Sequence, residues 1–323
     1  MAAPLDKDDV SPLHDLEARA HVLAAQVPAL LVEARRVSHT VTHGIHGRRR
    51  AGPGETFWQF RHFENSDTAS SIDWRRSASS DQLYVREREW EAAHTAWMWI
   101  DLSASMQFQS HLAAVTKAER AIVLALAMGE LLVRGGERIG LIGERPRTSR
   151  TAVRKLAEAI VRRIGENQET ASLPPAAALG RFSECLLFSD FLEPLDAIAP
   201  RLEQFAVQGV RGHLVQIFDP AEETLPYEGR TEFSASESGD RMIAGRAEAL
   251  RERYHDRVME HRHALMDELK RLEWSILVHH TDHPAEEALL ALHARLAGLE
   301  HDYRYRPSSD SAEATAVGER ADP

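Results

Sequence analysis

Apolar residues are spaced in two alternating ways along most of this chain. Short unbroken runs such as Ala96-Trp97-Met98-Trp99-Ile100 and Cys185-Leu186-Leu187-Phe188 are separated by longer stretches in which apolar positions return every three to four residues. Unbroken runs suit strands buried on both faces, and the longer period suits amphipathic helices. The pattern predicts strands over 96–101, 138–143, 184–189, 212–218 and 274–279, and helices over 111–134, 151–164, 193–207, 241–272 and 285–298. Such alternation implies an α/β domain, a mainly parallel sheet with helices on both faces. Residues 93–300 are expected to form it, with a polar hairpin or loop over 219–240.

The flanks follow other patterns. Leu13, Leu16, Ala20, Val22, Leu23, Val27, Leu30, Leu31 and Val32 predict an N-terminal helical arm within residues 1–40. Residues 41–92 mix short strand-like segments with Gly and Ser turns, which predicts a small β-rich extension. Residues 301–323 are rich in Ser, Ala, Glu and Asp without apolar periodicity, and are expected to be a disordered tail.

The candidate chemistry lies where the first apolar run stops, at Asp101-Leu102-Ser103-Ala104-Ser105. One carboxylate and two hydroxyls after a strand are hard oxygen donors of the kind that accept Mg²⁺ together with waters. The plainer reading is a strand-to-helix turn in which Ser103 or Ser105 caps the next helix. The second apolar run also ends in a hydroxyl and a carboxylate, Ser189-Asp190, so two strands would deliver Asp to the edge where open α/β sheets bind ligands.

This arrangement resembles the metal-ion-dependent adhesion site of von Willebrand factor type A domains, a Rossmann-like fold. The resemblance implies a Mg²⁺ or Mn²⁺ site at Asp101, Ser103, Ser105, Thr170 and Asp190, with one position open to an acidic group of a partner. Thr170 best fits the threonine of that motif, ahead of Thr148 and Thr151. An upstream block narrows the resemblance. Gly47-Arg48-Arg49-Arg50-Ala51-Gly52-Pro53-Gly54-Glu55-Thr56-Phe57, then Ile72-Asp73-Trp74-Arg75-Arg76, and later Phe218-Asp219-Pro220-Ala221-Glu222, resemble the signature of the domain of unknown function 58 family. Such proteins are commonly encoded beside MoxR-type AAA+ ATPases, which implies an adaptor or co-chaperone role in protein maturation or assembly. Within the block, Phe57, Phe63, Trp74 and Trp90 are expected to staple the extension to the domain. Arg48, Arg49, Arg50, Arg75 and Arg76 are candidates for a partner surface.

Charge and composition limit the alternatives. A net charge of −11 disfavours nucleic acid or an anionic membrane as partner. The lone Cys185, inside an apolar run, rules out an internal disulfide and agrees with a reducing cytoplasm. The N-terminus lacks a signal-peptide pattern, and no segment has the apolar length to span a bilayer. The sequence therefore predicts a cytoplasmic protein. His279-His280-Thr281-Asp282-His283 is the densest histidine cluster, but neighbouring side chains on a strand point to opposite faces, which argues against zinc. Gly135-Gly136 ends a helix and opens no dinucleotide fingerprint, and phosphate-loop and nucleophile-elbow motifs are absent. The expectation is a non-enzymatic, metal-dependent interaction protein. A metal-dependent hydrolase using Glu193 or Asp219 as base, or a metal-free scaffold with a degenerate site, are the alternatives.

Overall fold

The computed structural model describes residues 27, 29–42, 59–62, 74–78, 82–87, 94–149, 151–165, 171–234 and 240–296. Thr170, the upstream arginines Arg48 to Arg50, Phe57, Phe63, Trp90 and the expected tail lie outside them.

The sheet forms where the apolar runs lie. Strands β3 (Thr95–Ile100), β4 (Arg138–Leu141), β5 (Glu184–Ser189), β6 (Arg211–Phe218) and β9 (Ser275–His280) make one five-stranded sheet in the order β4-β3-β5-β6-β9. Every neighbouring pair is parallel. Strand periodicity sends alternate side chains to two separate cores. Ala96, Met98, Ile100, Leu186, Phe188, Val215, Ile217 and Leu277 face α3 (Lys117–Arg134), α4 (Ala152–Gly165), α8 (Ala285–Leu296) and the helical residues 29–42, here α1. Trp99, Cys185, Leu187 and Leu214 face α5 (Leu195–Ala206) and α7 (Arg251–Arg271). Helix α3 is apolar on nearly all sides because it is enclosed by the sheet, α4 and α8, burying Ala121 through Gly129.

Close packing fixes one backbone position on β6. A Cβ on Gly212 would lie 1.8 Å from the Trp274 ring, so the indole rests directly on the main chain there. Trp274 is 7 % exposed and seals that end of the second core.

Several boundaries differ from the sequence expectation, for identifiable reasons. The predicted helix 111–134 begins at Lys117, where Thr116 and Glu119 form a capping box. The predicted helix 241–272 is interrupted: Arg241–Ala244 form strand β8, antiparallel to β7 (Thr231–Ser234), and α7 starts at Arg251. The β-branched Ile243 favours a strand, and Gly245 separates it from the helix. The excursion over 219–240 holds the one-turn helix α6 (Pro220–Thr224), set by a capping box of Asp219 and Glu222, before that hairpin. Upstream, β1 (Gln59–His62) and β2 (Tyr84–Glu87) pair antiparallel as a two-stranded sheet among the described residues. Between them the four-residue helix α2 (Trp74–Ser77) buries Ser77, whose hydroxyl accepts from the Tyr84 amide at 2.9 Å. That rotation leaves Trp74 63 % exposed, contrary to its expected role as a staple.

The order of strands decides where a ligand can enter. After β3 the chain crosses through α3 to β4 on one side, and after β5 it crosses through α5 to β6 on the other. The crevice between the carboxyl ends of β3 and β5 is therefore the topological switch point, the usual ligand position in open α/β sheets. Asp101 and Asp190 stand immediately after these two strands.

Candidate metal centre

Asp101 is 1 % exposed and held by neutral donors. The Ser103 amide donates to Oδ1 at 2.9 Å, and the Ser189 hydroxyl donates to Oδ2 at 2.7 Å. The second bond ties the loop after β3 to the end of β5, and the Ser189 hydroxyl in turn accepts from the Phe191 amide at 3.1 Å. Burial pushes the Asp101 carboxyl up to about 6, against the hydrogen bonds from Ser103 and Ser189 that favour its charged form. Above that pH it is a buried carboxylate with no Lys, Arg or His ion pair among the described residues. Beside it the Ser103 and Ser105 hydroxyl oxygens lie 3.2 Å apart. Neither serine caps α3, since that work falls to Thr116.

These oxygens suit a small hard cation. An ionised, desolvated carboxylate needs positive charge, and two adjoining hydroxyls retain lone pairs to offer it. Among the described residues no cluster of three or more His, Cys, Asp and Glu side chains could hold a metal ion, so a cation here depends on hydroxyl ligands. Asp101, Ser103 and Ser105 would hold it directly or through water.

Asp190 has a different immediate partner. Its Oδ2 accepts from Lys117 Nζ at 2.8 Å, and its Oδ1 accepts from the Leu192 amide at 3.2 Å. The same ammonium donates to Glu222 Oε1 at 2.6 Å. Lys117 is completely buried at the first position of α3, and Glu222 reaches it from the capping box of α6. Burial alone would lower the pKa of that ammonium, but Asp190 and Glu222 outweigh burial and hold it above the ordinary lysine range. Tyr254 of α7 stands near this trio: burial first, then the Glu222 charge, push its phenol up to about 12.

The structure brings Asp101, Ser103 and Ser105 together, and sets Asp190 beside them already paired with the Lys117 ammonium. Lys117 and Glu222 are the residues that sequence reasoning missed. The signals were a lysine at the start of the most apolar helix, which reads locally as a solvated end, and Glu222 at the end of the 218–222 block, whose local pattern assigns it no role. The two carboxylates considered as hydrolytic bases are both engaged. Glu193 accepts from the Ser172 hydroxyl at 2.6 Å, while the two oxygens of Asp219 accept from the Ser110 and Ala221 amides at 2.8 and 2.9 Å. In the histidine cluster, His280 bonds Glu223, and the His279 ring, 1 % exposed, has no hydrogen-bond partner among the described residues.

A parallel α/β sheet with a polar crevice at its switch point defines the general class of this protein. Residues 59–264 match the family described as protein of unknown function DUF58, and the chain belongs to that family. Uncharacterized proteins of Mycobacterium bovis and Mycobacterium tuberculosis are each 27 % identical to it over 241 residues, covering 67 % of this chain and 72 % of theirs. No solved structure matches the chain. No helix among the described residues is long and apolar enough to cross a membrane.

Proposed function

We propose that this chain is a divalent-cation-dependent protein-interaction module of the von Willebrand factor type A kind, acting without catalysis of its own. The observation that carries the reading is Asp101: a buried carboxylate held only by neutral donors, beside two serine hydroxyls, in the switch-point crevice. Mg²⁺ or Mn²⁺ bound there supplies an electrophilic position for an outside carboxylate oxygen, because most of the protein's own ligands are neutral. Lys117 neutralises Asp190 and so keeps that side chain from adding a second negative charge to the cation. The expected ligand is an acidic side chain of a MoxR-type AAA+ ATPase or of its client, by resemblance to the adaptors encoded beside such ATPases. The expected setting is the cytoplasm.

Calorimetric titration with Mg²⁺ and Mn²⁺ tests the reading on wild type, Asp101→Ala and Ser103→Ala/Ser105→Ala. Binding by wild type that both variants lose, with unchanged circular dichroism, supports it and leads to a Mg²⁺-dependent pull-down with the ATPase. Absence of binding by wild type overturns it in favour of a metal-free scaffold. Turnover of phosphate or ester substrates with Mg²⁺ or Mn²⁺ would instead favour the hydrolase alternative.

A further inference from the structure

A second surface feature lies between the β7–β8 hairpin and the start of α7. Leu225, Phe233, Met242 and Leu250 form the walls of an open groove of about 470 Å³, and Arg253, Tyr254 and Arg257 complete its lining. A lone two-stranded hairpin is marginally stable in water and needs a packed face. Here Phe233 packs edge-on against Tyr227 with ring centroids 5.7 Å apart, yet Met242 remains 55 % exposed. The groove is apolar along its length and carries a pair of guanidinium groups.

The charges specify what fits. Arg253 and Arg257 are four residues apart on α7, so their like charges share one helix face and repel. Arg257 is paired with Glu260 at 2.9 Å on the exposed rim, while Arg253 has no ion pair among the described residues. The groove lining itself contains no carboxylate. With a net charge of −11, the protein as a whole repels acidic partners, so a local basic pair beside apolar walls determines where one can land.

We infer that this groove docks a short acidic segment of a partner protein, which inserts a large apolar side chain between Phe233, Met242 and Tyr254 and sets its carboxylates against Arg253 and Arg257. Tyr254 brings the groove near the Lys117–Asp190–Glu222 trio, but Asp101, Ser103, Ser105 and Asp190 do not line it.

Fluorescence anisotropy with a labelled Glu-Glu-Leu-Phe-Glu-Glu peptide tests this on the full chain in EDTA. Wild type is expected to bind the peptide, and added salt to weaken the complex. Arg253→Glu/Arg257→Glu and, separately, Met242→Asp are each expected to weaken it about tenfold or more. All three altered positions are exposed, so the variants are expected to keep the wild-type circular dichroism. No binding by wild type, equal binding of a Lys-Lys-Leu-Phe-Lys-Lys peptide, or undiminished binding by the variants overturns the inference. A wild-type dimer in light scattering that Met242→Asp converts to monomer also overturns it, by making a second copy of the chain the occupant. Because EDTA is present throughout, failure of the cation reading leaves this result unaffected, and failure here leaves that reading untouched.

Discussion

The ammonium of Lys117 and the carboxylate of Asp190 meet 2.8 Å apart across 73 residues of sequence, beneath the surface of the sheet's carboxyl-terminal rim. Two charges removed from water are stable only when their geometry is good and their remaining hydrogen-bonding capacity is used. Glu222 supplies the second acceptor for Lys117, and the Leu192 amide a donor for Asp190. The pair therefore pins the start of α3 to the loop after β5 at the switch point.

Lys117→Met should destabilise the fold by about 3–5 kcal/mol, because it leaves the buried Asp190 and the half-buried Glu222 without a counter-charge. Adding Asp190→Asn and Glu222→Gln to that variant should recover more than half of the loss. Urea denaturation midpoints read both effects. The lysine pKa is raised in the fold, so the pair's contribution is fully present below the ordinary lysine value and fades only as pH climbs past it. Stability in the neutral range should not vary with pH through this group.

Acid stability should depend on Glu223. Burial pushes its carboxyl up, but the hydrogen bond from His280 and the charges of His280 and Arg262 prevail and depress it to about 2. A depressed carboxyl stabilises the fold above its unfolded value near 4.5, and that contribution fades as pH falls toward 2. Glu223→Gln should cost about 2 kcal/mol at pH 7. It should also flatten the loss of stability between pH 4.5 and 2 in a series of denaturant melts.

Gly212→Ala should cost about 3 kcal/mol, since the added methyl would occupy the place of the Trp274 ring. Near-ultraviolet circular dichroism should record the displaced indole. Gly212→Ala/Trp274→Leu should restore part of the lost stability, because the smaller side chain frees the space.

The Cys185 thiol is fully buried, and burial raises its pKa well above the ordinary thiol value. A disulfide reagent should leave it unmodified in the native protein and react fully in urea. The native reaction rate should fall to the rate of global unfolding, which gives a direct reading of how often the second core opens.

The strands were legible because a fully buried parallel strand needs an unbroken apolar run, and the runs of β3 and β5 end at Asp101 and at Ser189-Asp190, beside the crevice. The same contiguity made Asp101, Ser103 and Ser105 visible, as neighbours along the chain. Lys117 and Glu222 meet only in the folded molecule, across 105 residues, and no local pattern marks Lys117 as buried or Glu222 as its partner. The hairpin or loop expected over 219–240 was legible only in part, since β8 reads locally as the start of the following helix. Its strands are four residues each and partly exposed, so their alternation is weak beside the long charged helix that follows.

The hydrogen bond from Ser189 to Asp101 spans 88 residues and joins the two central strands. Contacts of such sequence separation carry a large loop-closure cost and tend to form late. A chain emerging from the ribosome has exposed Asp101, Ser103 and Ser105 long before Ser189 and Asp190 follow, so its first serine loop then lacks the bond from the Ser189 hydroxyl. On the proposed reading, a cation at this crevice finds its full set of oxygens only in chains whose strands β3 and β5 have already paired.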